Sequence, residues 1–406
     1  MRILFIVHGY KPAYRMGGPI VSVSELAENL VKKGHSVIVF TTNSNHKEIL
    51  DVPVNCPIIF NGVEVWYFEK KNVWPFPFSS IPYFSKSIGF FYCPKMAEEL
   101  KKIITTVDVV HTHMPFVYPT YIASKISFAN KKPLFYHQRG IFDPVRLNFR
   151  SFKKRLYIKL IERSILKKAA VLIALTKAEI ESYKKVCPEN NNIVEIPNGI
   201  DINKYLTIPS VEKVFELNDD IPVILFLGRL HPIKGADKLL NAFIEISQNF
   251  PEAVLIMAGP DEFNIENGLK EKVNNSIKDK IIFTGMVDGN EKKNILARAD
   301  IFCLPSDAEG FSIAILEAMA SETAVLISPG CHFEKVQERF AGRIVDANVY
   351  DLVKVLSELL LNMDIVKKMG KNGRELVSSK YSWDSISDKM INTYIEGIAR
   401  NNLNTF

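Results

Sequence analysis

At 406 residues the chain is long enough for two domains, or three, and at 47% hydrophobic and 24% charged it is too apolar to be disordered. Its five cysteines (Cys56, Cys93, Cys187, Cys303 and Cys331) are odd in number and scattered, which argues against a disulfide framework and for reduced thiols in a cytoplasmic protein. The net charge of +6 is unevenly divided: residues 1–200 hold 28 Lys and Arg against 15 Asp and Glu, and the remainder 23 against 30. A basic half joined to an acidic half suits one of them to an anionic surface or substrate.

The N-terminal MRILFIVHGY is apolar but short and has no small-residue cleavage site, so it reads as a first core strand rather than a signal peptide. No run approaches the roughly 18 apolar residues of a membrane span. Unbroken apolar runs predict strands at 3–8, 36–41, 63–68, 107–111, 133–137 and 171–175, as for strands buried on both faces of a parallel sheet. Helical spacing predicts helices at 22–33, stopped by Gly34, and at 152–168 and 177–185. Residues 74–94 (WPFPFSSIPYFSKSIGFFYCP) interrupt the pattern, because their prolines forbid one regular element throughout. Pro197, Asn198, Gly199 and Pro209 mark a break near 196–218. Beyond it the alternation resumes, with strands at 223–227, 253–258, 280–284, 301–304, 324–327 and 342–345 and helices at 236–250, 291–299, 312–320 and 351–361. A last helix is expected at 383–399. Two open, doubly wound α/β sheets follow, with ligands at the carboxyl ends of the strands and a cleft between the two domains.

Three segments carry chemistry. Gly17 and Gly18 follow the first strand and precede a helix, where glycine lets a backbone approach a phosphate; a tight turn explains the pair as well. GRLHPIKG (228–235) follows the first strand of the second half, and its Gly228, Arg229 and Lys234 suit a pyrophosphate. In LPSDAEGFSIAILEAM (304–319) a strand ends, a polar turn carries Glu309, and a helix begins near Ser312. The N–H groups of Gly310, Phe311 and Ser312 can donate to sugar hydroxyls or a phosphate. Glu309 and Glu317 can accept from hydroxyls.

Glu309 and Glu317, with seven residues between them, resemble the E-x7-E motif of family-four glycosyltransferases. The Gly17-Gly18 loop, PNGID (197–201), GRLHPIKG (228–235) and ADIFCLPS (299–306) fall in the same order as in that family. The resemblance implies the GT-B arrangement of two Rossmann-like domains facing a cleft, 1–196 with the returning helix 383–406, and 197–382. It also implies a retaining, nucleotide-sugar-dependent transferase with no bound metal and no cofactor beyond its UDP- or GDP-linked donor. On this resemblance Arg229 and Lys234 neutralise the departing diphosphate, Glu309 meets the transferred sugar and Glu317 the ribose. Val287 contacts the nucleobase and Gly18 the diphosphate. His137, at a strand end, matches a cleft-lining histidine that touches the donor sugar or assists the acceptor. The following QRGIFDP (138–144) resembles a subgroup with an Arg-Gly turn, in many members of which that histidine differs.

His111 and His113 lie on one side of a strand, as metal ligands do, but no third ligand is evident in the sequence, so they are assigned to the core or the cleft lining. The basic segment 146–168 sets Phe152, Leu156, Ile161 and Leu166 among Lys and Arg. With residues 74–94 it suits docking on an anionic membrane, the alternative being a packed helix with a solvated basic face. No nucleic-acid module is recognisable. The expected activity is hexose transfer to a glycan or lipid-linked saccharide, in cell-surface polysaccharide or glycolipid synthesis, in the cytoplasm or on the inner face of its membrane. A sugar-nucleotide epimerase or hydrolase, and a silent scaffold, are the alternatives.

Overall fold

The computed structural model describes residues 1–46, 48–71, 90–148, 151–205, 217–218, 220–261 and 263–403. The chain divides into two compact units, Met1–Asn198 with Trp383–Phe406, and Gly199–Ser382.

Among the described residues the first unit holds ten strands: β1 (Arg2–Ile6), β2 (Ser36–Thr42), β3 (Ser44–Asn45), β4 (Glu48–Ile49), β5 (Pro57–Phe60), β6 (Val63–Phe68), β7 (Val109–His113), β8 (Leu134–His137), β9 (Val171–Ala174) and β10 (Ile193–Glu195). Eight of them form one sheet in the order β10-β9-β8-β7-β1-β2-β6-β5, parallel except for β5 against β6, while β3 and β4 pair separately. Alternate residues feed two cores. Leu4, Ile6, Ile38 and Phe40 pack on one face, and Ile3, Phe5, Val37 and Val39 on the other. The second face is covered by Val23, Leu26, Ala27 and Leu30 of the helix Gly18–Lys32 and by Trp383, Ile386, Met390 and Tyr394 of the helix Trp383–Leu403. Trp383 Nε1 donates to Glu25 (2.5 Å), and Lys33 pairs with Asp384 and Asp388 (2.6 Å each).

The second unit is a six-stranded, wholly parallel sheet: β11 (Val223–Leu227), β12 (Val254–Ala258), β13 (Ile281–Gly285), β14 (Ile301–Leu304), β15 (Ala324–Ile327) and β16 (Gly342–Ile344), in the order β13-β12-β11-β14-β15-β16. Its four inner strands β11, β12, β14 and β15 are buried on both faces, as their apolar runs require. Chain entry and exit lie side by side, with the Ile200 N–H donating to the Tyr381 carbonyl (2.8 Å).

Among the described residues, the helices of ten residues or more that lack a counterpart among the predicted elements are Pro94–Ile103, Tyr118–Ala129 and Met363–Lys380. The first and third are short of apolar residues, with exposed lysine-rich faces, and the second starts at a Tyr-Pro pair that reads as a turn. The continuous helix expected over 152–168 is instead α-helical over Ser151–Tyr157, π-helical over Ile158–Glu162 and α-helical again over Arg163–Lys168. The wider turn delivers Glu162 into the core, where it accepts from the Tyr136 hydroxyl and the Phe116 N–H. Residues 74–89 of the aromatic stretch and 206–216 of the expected break lie outside the described residues. No helix among the described residues is long and apolar enough to cross a membrane.

Candidate active site

In the second unit β11 and β14 are neighbours at the point where the strand order reverses, so the loops leaving their carboxyl ends diverge and open a ligand site. After β11 come Gly228, Arg229 and the single turn Pro232–Lys234, where the His231 ring accepts from the Ile233 N–H (3.0 Å). Gly235 then adopts the left-handed conformation (φ 72°), and a side chain there would collide with the Pro305 carbonyl. Glycine therefore lets this loop lie directly on the loop after β14. The Asp307 N–H and the Ser306 hydroxyl both donate to the Ile233 carbonyl (2.8 and 3.0 Å), and Lys238 pairs with Asp307 (2.6 Å).

Lys234 reaches across this seam to form an ion pair with the buried carboxylate of Glu309. The Glu309 N–H is held by the Gly330 carbonyl (2.8 Å), in the loop after β15. Gly310 is buried, and Phe311 packs on Phe333 and Tyr381 (ring centroids 4.8 and 5.5 Å apart). Ser312 is the N-cap of the helix Ile313–Ala320, one residue later than expected, and its side chain makes no capping bond. The first amides of this helix thus keep donors suited to a phosphate or a sugar hydroxyl. Within the same helix Glu317 is buried and tied to Lys292 Nζ (2.6 Å) and the Tyr205 hydroxyl (3.1 Å). Val287, in the loop after β13, is nearly buried and lies five residues before Lys292. One end of one sheet therefore carries Gly228, Arg229, Lys234, Val287, Glu309, Gly310, Phe311, Ser312 and Glu317.

The first unit has its own reversal between β1 and β7. Gly17 (φ 90°) is the N-cap of the helix that starts at Gly18, four residues earlier than predicted, since glycines and Pro19 suit a helix start but not the apolar spacing used to find it. His137 corrects an expectation: it ends β8 but is 2% exposed, and neither ring nitrogen has a partner. It pairs in register with His113, which sits 4.1 Å from His111 by ring centroids. The fold thus supplies the third histidine that the sequence did not show, with one ring nitrogen from each of His111, His113 and His137 lying within 4.8 Å of one another.

Arg139 decides what this cluster can hold. Its guanidinium is buried and donates from Nε to His113 Nδ1 (3.3 Å), and from one terminal nitrogen to Ser22 (2.8 Å) and Asn198 (3.0 Å). That bond makes His113 the Nε2–H tautomer, which cannot ligate a metal, and it places a fixed positive charge beside the trio. Burial pushes the pKa of all three histidines well down, and Arg139 pushes it further. The arrangement is a neutral histidine cluster against a cation, opposed to binding a second cation.

Comparison with known proteins decides the class. Residues 16–204 match the family described as Glycosyltransferase Family 4, and residues 208–376 match Glycosyl transferases group 1. This chain is a glycosyltransferase. It is 26% identical over 391 residues to an uncharacterized glycosyltransferase of Methanocaldococcus jannaschii, covering 94% of this chain and 95% of that one. It is 31% identical over 208 residues, 48% of this chain and 54% of the relative, to a GDP-mannose-dependent alpha-(1-6)-phosphatidylinositol monomannoside mannosyltransferase of Mycobacterium tuberculosis. HepE of Anabaena, solved with UDP and glucose, superposes over 98% of this chain and 100% of its own with a TM-score of 0.74 at 18% identity. The two α/β units of the glycosyltransferase are accordingly of the GT-B class.

The structure adds residues of this glycosyltransferase that motif spacing did not single out. Lys292 and Tyr205 reach Glu317 from 25 and 112 residues away in sequence. Arg139 was visible only as part of an Arg-Gly turn, and its left-handed backbone (φ 53°) turns the side chain back toward His113 and Ser22.

Proposed function

We propose that this glycosyltransferase moves a hexose from a UDP- or GDP-linked donor to a hydroxyl of a glycan or lipid-linked saccharide, with retention at the anomeric carbon. The Lys234–Glu309 pair across the seam of the β11 and β14 loops carries this reading. Each carboxylate of the pattern is matched by a lysine, so a diphosphate offers Lys234 a second partner and frees Glu309 to accept from sugar hydroxyls. Arg229 and Lys234 then oppose the charge that grows on the diphosphate as the anomeric C–O bond breaks. The acceptor oxygen bonds to the same face of the sugar, and its proton passes to the departing phosphate. The positive charge comes from these side chains, so no metal is required. The likenesses to a GDP-mannose-dependent enzyme and to a protein that holds UDP and glucose support a nucleotide-sugar donor of either base.

The basic first unit supports an acceptor at the inner face of the cytoplasmic membrane. Its apolar residues Phe152, Leu156 and Leu160 recur every four positions and are 79%, 47% and 66% exposed. Arg155, Lys159, Lys167 and Lys168 lie exposed around them. Such a face gains by entering an anionic interface.

Glu309→Ala is the test. Transfer of labelled sugar from UDP- and GDP-linked donors to membrane extracts should fall at least ~100-fold, the scale for losing one polar contact made in a transition state. Binding of the free nucleoside diphosphate should stay within about threefold of the parent. Transfer at the parent rate removes Glu309 from the reaction.

A further inference from the structure

The second sheet has a cavity at the end away from the donor pattern. The amino ends of β14 and β15 frame a space of about 340 Å³, near the lower end of the roughly 300–1,000 Å³ of ligand sites. It is lined by Arg298, which ends the helix Gly289–Arg298, and by Asp300, just before β14. Ser321 and Glu322, which leave the helix Ile313–Ala320, and Lys367 of the helix Met363–Lys380 complete its polar lining. Arg298 is 8% exposed and its terminal nitrogens are committed: Nη2 donates to the Asn218 and Ile221 carbonyls (2.6 Å each), and Nη1 pairs with Asp300 (3.5 Å). Among the described residues, the buried side-chain nitrogen and oxygen atoms of the second unit that lack a hydrogen-bond partner are Arg298 Nε, Ser321 Oγ and Arg374 Nη2. Arg298 and Ser321 line the cavity, and Arg374 pairs with Glu322, which lines it too (3.7 Å). A buried donor without an acceptor is costly, so three of them gathered at one cavity point to a ligand that brings oxygens.

Charge narrows the ligand. Arg298, Lys367 and Arg374 are set against the carboxylates of Asp300 and Glu322 and against the negative ends of two helices. A phosphate would meet two carboxylates here, and a polyamine would meet the cations, so neither sign is favoured. A hydroxyl both donates and accepts, and can therefore use Arg298 Nε and Ser321 as well as Asp300 and Glu322. Ala297, Ala299 and Val366 add an apolar surface for the C–H face of a sugar ring. We propose that this cavity binds a short uncharged saccharide, at the opposite end of the second sheet from the donor pattern. The proposal goes beyond the nucleotide-sugar reading and does not depend on it. A saccharide held there is retained by the enzyme without taking part in transfer.

The experiment is saturation-transfer NMR on the full-length protein with maltose, sucrose and mannobiose, and with inorganic phosphate and spermidine as competitors. It compares the parent with Ser321→Leu, which fills the cavity, and with Lys367→Ala. A melting curve for each variant reports folding, and titration with UDP and GDP reports the donor site. The parent should bind at least one disaccharide with saturation below about 10 mM. Ser321→Leu should abolish that binding, and Lys367→Ala should weaken it about 3–10-fold, the scale of one hydrogen bond. Nucleotide affinity should stay within about threefold of the parent in both. No disaccharide binding by the parent overturns the proposal, and so does displacement of the disaccharide by phosphate or spermidine at equal concentration. Binding unchanged in both variants places the sugar elsewhere and overturns it, and loss of saccharide and nucleotide together, a general distortion, overturns it as well. Should Ser321→Leu fail to fold, Ser321→Ala takes its place, and unchanged affinity there and in Lys367→Ala overturns the proposal. A parent that binds a disaccharide but neither nucleotide supports this site and counts against the donor reading alone.

Discussion

Two lysines set the charge of the proposed donor site, because each neutralises one buried carboxylate. Lys234→Ala leaves Glu309 buried without its cation, which costs stability as well as phosphate affinity. Its nucleoside diphosphate affinity should fall about 10-fold or more by titration, whereas unchanged affinity would leave Lys234 with Glu309 alone as its partner. Gly235 makes a separate demand, since its left-handed backbone meets the Pro305 carbonyl. Gly235→Ala should destabilise the protein by about 1–3 kcal/mol in urea unfolding and separate the two loops that carry Lys234 and Glu309. An unaffected midpoint would show that the seam can relax. Glu309, Arg229 and Lys234 were legible as residues, because a strand end, a glycine and a charge recur within a few positions. Their pairing was not, because Lys234 and Glu309 lie 75 residues apart and only the β11–β14 neighbourhood joins them. His137 shows the opposite limit: a polar residue at a strand end reads as exposed, yet it is buried against His111 and His113 of the neighbouring strand. Tyr394 of the returning C-terminal helix bonds His111 (2.7 Å).

Among the elements, buried strands were the most legible, since a run such as VILFL admits little but a strand covered on both faces. The basic helix was the least, because its period changes partway. A uniform helical period aligned Phe152, Leu156, Ile161 and Leu166, whereas the π-helical stretch Ile158–Glu162 turns Leu160 outward and leaves Leu166 in the core. The exposed face is therefore Phe152, Leu156 and Leu160. Replacing all three with serine should abolish flotation with vesicles of anionic lipid at low salt and leave nucleotide binding as in the parent. Equal flotation of parent and triple variant would assign any binding to charge alone. No flotation of the parent would remove the membrane from the account.

For the whole molecule, pH acts through groups buried in the first unit. Burial lowers the pKa of His8 to about 4 and pushes those of His111, His113 and His137 well down. Burial raises Glu162 and Glu179 to about 7, against the hydrogen bonds each accepts. A histidine kept neutral in the fold is protonated on unfolding, so its contribution is complete above pH ~6.5 and is lost as the pH falls. A carboxyl kept protonated in the fold ionises on unfolding, so its contribution is complete below pH ~4.5 and is lost as the pH rises toward 7. Between those values four histidines outweigh two carboxyls, and stability should climb with pH by about 2–3 kcal/mol per unit at most, levelling near pH 6.5–7. Melting curves from pH 5 to 8 check this, and a midpoint that falls steadily from pH 5 upward would contradict it.

In the proposed activity the carboxyl end of the second sheet binds a nucleotide sugar through Arg229 and Lys234. Calorimetric titration of the intact chain with UDP-, GDP- and ADP-linked hexoses, before and after Arg229→Ala and Lys234→Ala together, tests it most directly. The expected result is saturable binding of a UDP- or GDP-sugar by the parent and its loss by ~100-fold or more in the double variant, two charge-assisted contacts being removed. Binding by neither protein, or equal binding by both, would contradict it.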